Sequence, residues 1–243
     1  MAEMSMALQK PEEGVVSDAV SLRQAYGHLD GRDLLEVMIK DAFPGRIGLV
    51  SSFGSESAVL IEMVAAIDPS TPILFLNTGK LFGETLRYRD KLQERFGLTD
   101  IRSLKPDEDE LEAEDHNGLL WTRDQDACCD LRKTRPLDRA LEGFDAWITG
   151  RKRFQTAERA NLDLIEESAG KIKINPLANH DLADLQAIAK EKNLPRHPLV
   201  MDGYLSIGCM PCTRRVQEGE DYRAGRWAGT DKTECGIHVG DGI

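Results

Sequence analysis

The chain has 243 residues and carries 31 Lys and Arg against 42 Asp and Glu, a formal net charge of -11. This length accommodates one large α/β domain with a full core, alone or with a small appendage. The acidic balance excludes general binding of nucleic acid or acidic membrane, so an anionic ligand has to be met by local clusters of cations.

The polar start lacks an apolar signal core, and no apolar run is long enough to span a bilayer, which together predict a cytoplasmic protein. Residues 1–16 are unpatterned and read as a mobile N-terminus. An α/β nucleotide-binding domain is expected over 17–207 and a C-terminal segment over 208–243. Ala19, Leu22, Ala25, Tyr26 and Leu29, then Leu34, Leu35, Met38 and Ile39, recur at helical spacing and predict two helices joined near Asp30-Gly31. The apolar run 47–50 predicts a strand. It is followed by Ser51-Ser52-Phe53-Gly54-Ser55-Glu56-Ser57 and a helical pattern to Ile67. Such a turn offers backbone N–H groups to an anion or nucleotide, although an ordinary Ser- and Gly-rich βα loop has the same composition. A second strand over 73–76 ends in Asn77-Thr78-Gly79-Lys80, a helix follows over 83–96, and a third strand spans 101–104. The βαβαβ order implies a parallel sheet with right-handed crossovers, and the fold class is α/β, doubly wound and mainly parallel.

Residues 107–115 hold seven acidic side chains in nine and read as a solvated helix face without chemistry. A helix is then expected through Cys128-Cys129 to Leu141. On it Arg132 lies four residues after Cys128, and Lys133 four after Cys129, so each cation shares a face with a thiol and favours its ionised form. A fourth strand over 146–149 opens into Gly150-Arg151-Lys152-Arg153-Phe154-Gln155. From Arg132 to Arg153 seven cations face three anions, a local reversal of the chain's sign. Strands over 164–166 and 172–174 and a helix over 182–192 follow. The glycine-rich tail from Gly208, with Cys209-Met210-Pro211-Cys212 and Glu234-Cys235-Gly236-Ile237-His238, reads as a flexible arm outside the core.

Five cysteines in a reducing compartment are better read as thiolate ligands or reactive thiols than as disulfides. Four of them could hold zinc. Adjacent side chains on a helix diverge by about 100°, however, which suits separate irons of a [4Fe-4S] cluster better than a single ion. Cys235 is left over, as a nucleophile or as an ordinary thiol.

Together these motifs resemble the assimilatory adenylyl-sulfate (APS) reductases, the iron-sulfur branch of the phosphoadenylyl-sulfate reductase family. The resemblance runs from about residue 46 and rests on the 51–54 turn, Asn77-Thr78-Gly79, Cys128-Cys129 with Arg132-Lys133, Gly150 with Arg153, Gln155 and Arg159, the Cys209/Cys212 pair, Arg223 with Arg226, and the motif around Cys235. Asn77 stands where many members have Asp. The resemblance implies an adenine-nucleotide α-hydrolase-like fold that reduces adenylyl sulfate to sulfite and AMP. Cys235 would be the nucleophile and Lys133 a catalytic cation that binds the phosphosulfate. Ser51, Ser52, Phe53, Gly54, Asn77, Thr78, Gly79, Arg132, Gly150, Arg159, Arg223 and Arg226 would bind substrate. Cys128, Cys129, Cys209 and Cys212 would hold a [4Fe-4S] cluster, and thioredoxin or a glutaredoxin-like donor would supply electrons. A homo-oligomer is compatible with this reading, whereas nucleic-acid and membrane partners are not. Three alternatives are a phosphoadenylyl-sulfate (PAPS) reductase, a zinc-stabilised nucleotide-binding module, and an ATP pyrophosphatase, for which the 51–57 loop lacks the fuller glycine pattern.

Overall fold

The computed structural model describes residues 18–230 and 232–238. The expected mobile N-terminus, 1–16, lies outside the described residues. Two short helices, α1 (Ala19–Tyr26) and α2 (Gly31–Val37), open the chain as the periodicity predicts, and a π-helical turn over Met38–Ala42 leads into β1 (Ile47–Ser51). Then come α3 (Ser57–Ile67), β2 (Ile73–Leu76), α4 (Gly83–Phe96) and β3 (Ile101–Leu104). The acidic run forms α5 (Glu108–Asp115). The cysteine stretch spans α6 (Leu120–Arg123), α7 (Gln125–Cys129), a π-helical turn over Asp130–Thr134 and α8 (Arg135–Leu141). Pro136 is tolerated because it sits in the first turn of α8, where its missing N–H is not needed. The remaining elements are β4 (Ala146–Ile148), β5 (Ile165–Ser168), β6 (Lys171–Ile174) and α9 (Leu182–Glu191).

The sheet order is β3-β2-β1-β4-β6-β5, parallel except for the β5–β6 hairpin at one edge. The chain runs outward from β1 to β2 and β3, then returns to place β4 on the other side of β1. This reversal leaves a crevice at the carboxyl ends of β1 and β4, the usual ligand position in an open α/β sheet.

Alternate residues of the central strands enter two cores, which is why those strands read as unbroken apolar runs. Ile47, Leu49, Ile73, Phe75, Ala146 and Ile148 pack with α1 to α4 and α9. Val50, Leu74, Leu76 and Trp147 face the other side, against Leu137 and Leu141 of α8. Trp227, Cys235 and Ile237 belong to that second core, each less than 9% exposed. The C-terminal segment therefore closes one face of the sheet, which corrects the expectation that it lies outside the core. Burying a side chain the size of Ile237 contributes about 1.5–3 kcal/mol toward holding a segment that has little regular structure of its own. Among the described residues no helix is long and apolar enough to cross a membrane.

Candidate active site

The crevice is a cleft lined by Ser51, Ser52 and Gly54 after β1, Thr78 after β2, Gly150 after β4, and Cys209, Arg223, Arg226 and Cys235 from the tail. Phe53 anchors the first loop. Its φ of 51° is unusual for a bulky residue, and the conformation is held by a fully buried ring standing edge-on to Phe75 at 5.2 Å and by a hydrogen bond from its N–H to Ser51 Oγ. Phe53 thus shapes the loop from beneath and does not line the cleft.

Three further expected substrate residues stay outside the cleft. Asn77 donates to Ser103 Oγ, and Gly79 turns the chain at φ 71°. Arg132 is buried in an ion pair with Asp115, with Nη2 at 2.5 Å from Oδ2, while its Nη1 donates to the Thr78 carbonyl at 2.8 Å. The acidic helix α5 is thus solvated along most of its length, but its last residue is structural. Asp115 also accepts from the Leu120 N–H at 2.7 Å. Burial works against its charge, but the bonds from Arg132 and Leu120 prevail and hold its carboxyl below the usual carboxylate range. The run was expected to be a solvated face without chemistry; its structural roles are the cap by Asp107, the ion pairs of Glu110 with Arg139 and Glu114 with Arg135, and the buried pair of Asp115. The carboxylate's partner lies 17 positions away, so local charge counting could not reveal it.

The cleft is walled by cations. Arg151, Lys152, Arg159, Arg223, Arg226 and Lys133 all line it. Lys152 is ion-paired with Glu56, and Arg151 with Glu166. Glu56 also accepts from Tyr222 Oη at 2.7 Å and Gln155 Nε2 at 3.3 Å, tying the first loop to the loop after β4 and to the tail. Arg223 is pushed down to about 10 by burial and by the charges of Arg159 and Arg226, the signature of cations crowded together. Arg226 stacks on Trp227 with its guanidinium carbon 4.3 Å from the ring centroid. Gly208 makes room for that guanidinium, because a Cβ there would lie 2.5 Å from it. Arg159 Nε and Arg226 Nε have no hydrogen-bond partner among the described residues.

Cys235 sits at one wall of the cleft with its sulfur 3.6 Å from Lys133 Nζ, and the same ammonium lies 3.6 Å from Cys129 Sγ. A hydrogen bond from Cys129, reinforced by the Lys133 charge, holds the Cys235 thiol well below its ordinary range despite burial, while the same bond and burial push the Cys129 thiol up. Burial works against the charge of Lys133, but the sulfurs of Cys235, Cys209 and Cys129 outweigh it and keep the amine protonated. His238 closes the short 3-10 turn Gly236–His238 and lies parallel to Trp147, with ring centroids 6.4 Å apart. Burial and the surrounding Lys173, Arg159, Arg151 and Arg223 drive it well below the usual imidazole range, so it is neutral.

Behind Lys133 a second, narrow cavity is bordered by Cys128, Cys129, Cys209 and Cys212, with Lys80, Trp121 and Arg132. Cys128 and Cys129 come from α7. Cys209 and Cys212 are brought by the tail, which is pinned where the Met210 N–H donates to the Lys80 carbonyl at 2.8 Å and Trp227 N–H to the Cys212 carbonyl at 3.0 Å. All five cysteines are free thiols. Among the described residues no group of three or more His, Cys, Asp or Glu side chains is gathered tightly enough to hold one metal ion. Four thiols around one cavity, with buried Arg132 and half-buried Lys133 beside them to balance thiolate charge, fit a larger sulfur-ligated group.

Sequence reasoning thus located Ser51, Ser52, Gly54, Thr78, Gly150, Arg159, Arg223, Arg226, Lys133 and Cys235 at one cleft. It missed Glu56, Tyr222 and Glu234, whose partners are distant in sequence. A carboxylate in a Ser- and Gly-rich turn was the available signal for Glu56.

Fold and site define an α/β protein with a cation-lined nucleotide-type crevice and a thiol at its wall. The phosphoadenosine phosphosulfate reductase domain matches residues 46–215. The chain is 50% identical over 228 residues to an adenosine 5'-phosphosulfate reductase of Mesorhizobium japonicum, covering 94% of this chain and 90% of that protein. It is 39% identical over 233 residues to one of Streptomyces coelicolor, covering 93% and 98%. The crystal structure of a phosphoadenylyl-sulfate reductase from Candida auris in complex with phosphate superposes with a TM-score of 0.65 at 28% identity, covering 81% of this chain and 96% of that one. A Candida glabrata FMN adenylyltransferase, 14% identical with a TM-score of 0.54 over 78% of this chain and 68% of its own, shares the fold alone. The chain belongs to the phosphoadenosine phosphosulfate reductase family, and it is an enzyme.

Proposed function

We propose that the protein reduces adenylyl sulfate to sulfite and AMP in the cytoplasm, through an S-sulfocysteine at Cys235 and with electrons from thioredoxin or a similar dithiol. The observation that carries this reading is the Cys235 sulfur, 3.6 Å from the Lys133 ammonium at the wall of a cleft lined by arginines. The Cys235 thiolate attacks the sulfuryl sulfur, the bond from that sulfur to the phosphate oxygen breaks, and AMP leaves with the electron pair. A dithiol then attacks Cys235 Sγ, so that sulfite departs with the electrons of the S–S bond. The second thiol of the donor resolves the mixed disulfide and restores Cys235. Arg159, Arg223 and Arg226 are suited to hold the phosphosulfate, where charge on the leaving oxygen grows.

Cys128, Cys129, Cys209 and Cys212 would hold the [4Fe-4S] cluster, which supplies a fixed charge distribution beside the site when bound. With Cys129 engaged as a ligand its thiol proton is gone, and Lys133 is left to stabilise the Cys235 thiolate. The choice of adenylyl sulfate over its 3'-phosphorylated form is supported by relatives named adenosine 5'-phosphosulfate reductase at up to 50% identity.

The test is Cys235→Ser in protein purified without oxygen. Sulfite formation is expected to disappear, and the wild-type protein mixed with adenylyl sulfate in the absence of thiol should yield a sulfonated Cys235 peptide by mass spectrometry. An active serine variant sinks the proposal.

A further inference from the structure

Glu234, the residue before the nucleophile, occupies the anion position among the arginines. Its Oε2 accepts from Arg159 Nη2 at 2.7 Å, and its Oε1 lies 3.7 Å from Arg223 Nη2. Its side chain is 9% exposed, and Oε1 has no hydrogen-bond partner among the described residues, which is an uncommon state for a buried carboxylate oxygen. Arg159 is buried and Arg223 nearly so, and the two cations repel one another, so an anion between them is required whether or not a ligand is bound. The chain itself provides it, from the segment that carries Cys235. Arg223 further donates toward the Thr233 carbonyl at 3.5 Å, so the same arginine holds both backbone and side chain of this segment.

We propose that Glu234 is an intramolecular stand-in for the ligand's anion: it neutralises Arg159 and Arg223 while the cleft is empty and competes with the nucleotide phosphate for them. This rests on the assignment of Arg159 and Arg223 to the phosphosulfate made above. A carboxylate and a phosphate cannot share these arginines without repulsion, so an incoming anion displaces the side chain or is weakened by it.

Titrations of the full chain, loaded with its metal, test this. Calorimetric titration with AMP should give a dissociation constant at least about fivefold tighter for Glu234→Gln than for wild type, because the competing charge is gone. Unchanged or weaker binding overturns the proposal, since a carboxylate that merely orients the arginines would be missed when neutralised. Arg159→Met separates the two layers of inference. If that variant binds AMP like wild type, the assignment of the arginines fails and the proposal with it. If it binds more weakly while Glu234→Gln does not tighten binding, the proposal alone fails.

Discussion

The two cavities on either side of Lys133 present cysteine in opposite settings. Lys133 and Cys209 border both, so a single layer of side chains separates them. In the cleft Cys235 faces six lining cations and an open approach for an anion. In the inner cavity four thiols face one another, and Arg132 and Lys133 stand beside them. A thiol with a cation and open space suits attack, whereas thiols that enclose a volume suit ligation. The shared ammonium means that charge on the sulfurs of one cavity is felt in the other, and Lys133 is held protonated from both sides.

The sharpest way to break this contrast is to exchange sulfur for oxygen in each cavity. Cys212→Ser, like the serine variant at Cys128, Cys129 or Cys209, is expected to lose bound iron and visible absorption entirely. Cys235→Ser should keep both, and iron analysis with an absorption spectrum of anaerobically purified protein decides the matter. If the inner-cavity variants retain full iron, the division of labour between the cavities is wrong.

Next in size is the wall between the cavities. Asp115→Ala leaves the Arg132 guanidinium buried without its carboxylate and should cost about 3–5 kcal/mol of stability, measured by denaturant unfolding. A loss under about 1 kcal/mol, the range of an exposed pair, would mean that the pair does not hold the wall. Thr78 lies on the same chain of contacts, accepting from Arg132 through its carbonyl and meeting Cys209 Sγ with its hydroxyl at 3.2 Å. The damage should therefore reach both cavities.

The smallest effect is expected from a buried polar group remote from both. His197 Nδ1 accepts from the Leu199 N–H at 3.2 Å, so the proton sits on Nε2, 3.1 Å from Thr85 Oγ1. Burial pushes this imidazole down to about 4, against an ordinary value of 6.5, with the Glu84 charge opposing the shift only in part. The unfolded chain therefore binds more protons than the folded one between these values. The stability contribution is complete above the unfolded value and falls as the pH drops through that window, by about 2 kcal/mol near its lower end. Comparing unfolding of wild type and His197→Gln at about pH 7 and about pH 4.5, on either side of most of that window, measures it. An identical pH slope in the two proteins would refute the assignment.

Local patterns in the sequence were sufficient for most of the framework. The apolar runs of β1, β2 and β4 announced strands buried on both faces, and the helical spacing in α3, α4 and α9 placed the layers around them. The five cysteines and the cation reversal after Arg132 marked the groups that gather at the cleft and the inner cavity, because residue type and short spacing are local properties. The turn after β1 was legible as a small-residue βα turn, by its composition alone either a ligand loop or an ordinary one, and the role of Phe53 in it was not legible, since a positive φ and a ring beneath the loop leave no periodic trace.

Only the tertiary structure decided which of those groups meet. Lys133 reaches Cys235 across 102 positions, Arg159 reaches Glu234 across 75, and Tyr222 reaches Glu56 across 166. No helix or strand period relates residues so far apart. They are brought together because the sheet reverses its winding between β1 and β4 and because Trp227 and Ile237 of the tail have an apolar face to cover. The sequence by itself determined the elements and the inventory of reactive groups. The packing of the C-terminal segment against the sheet determined that the Cys235 thiol stands in the cleft, four others line the cavity behind it, and a carboxylate rests between two of the arginines.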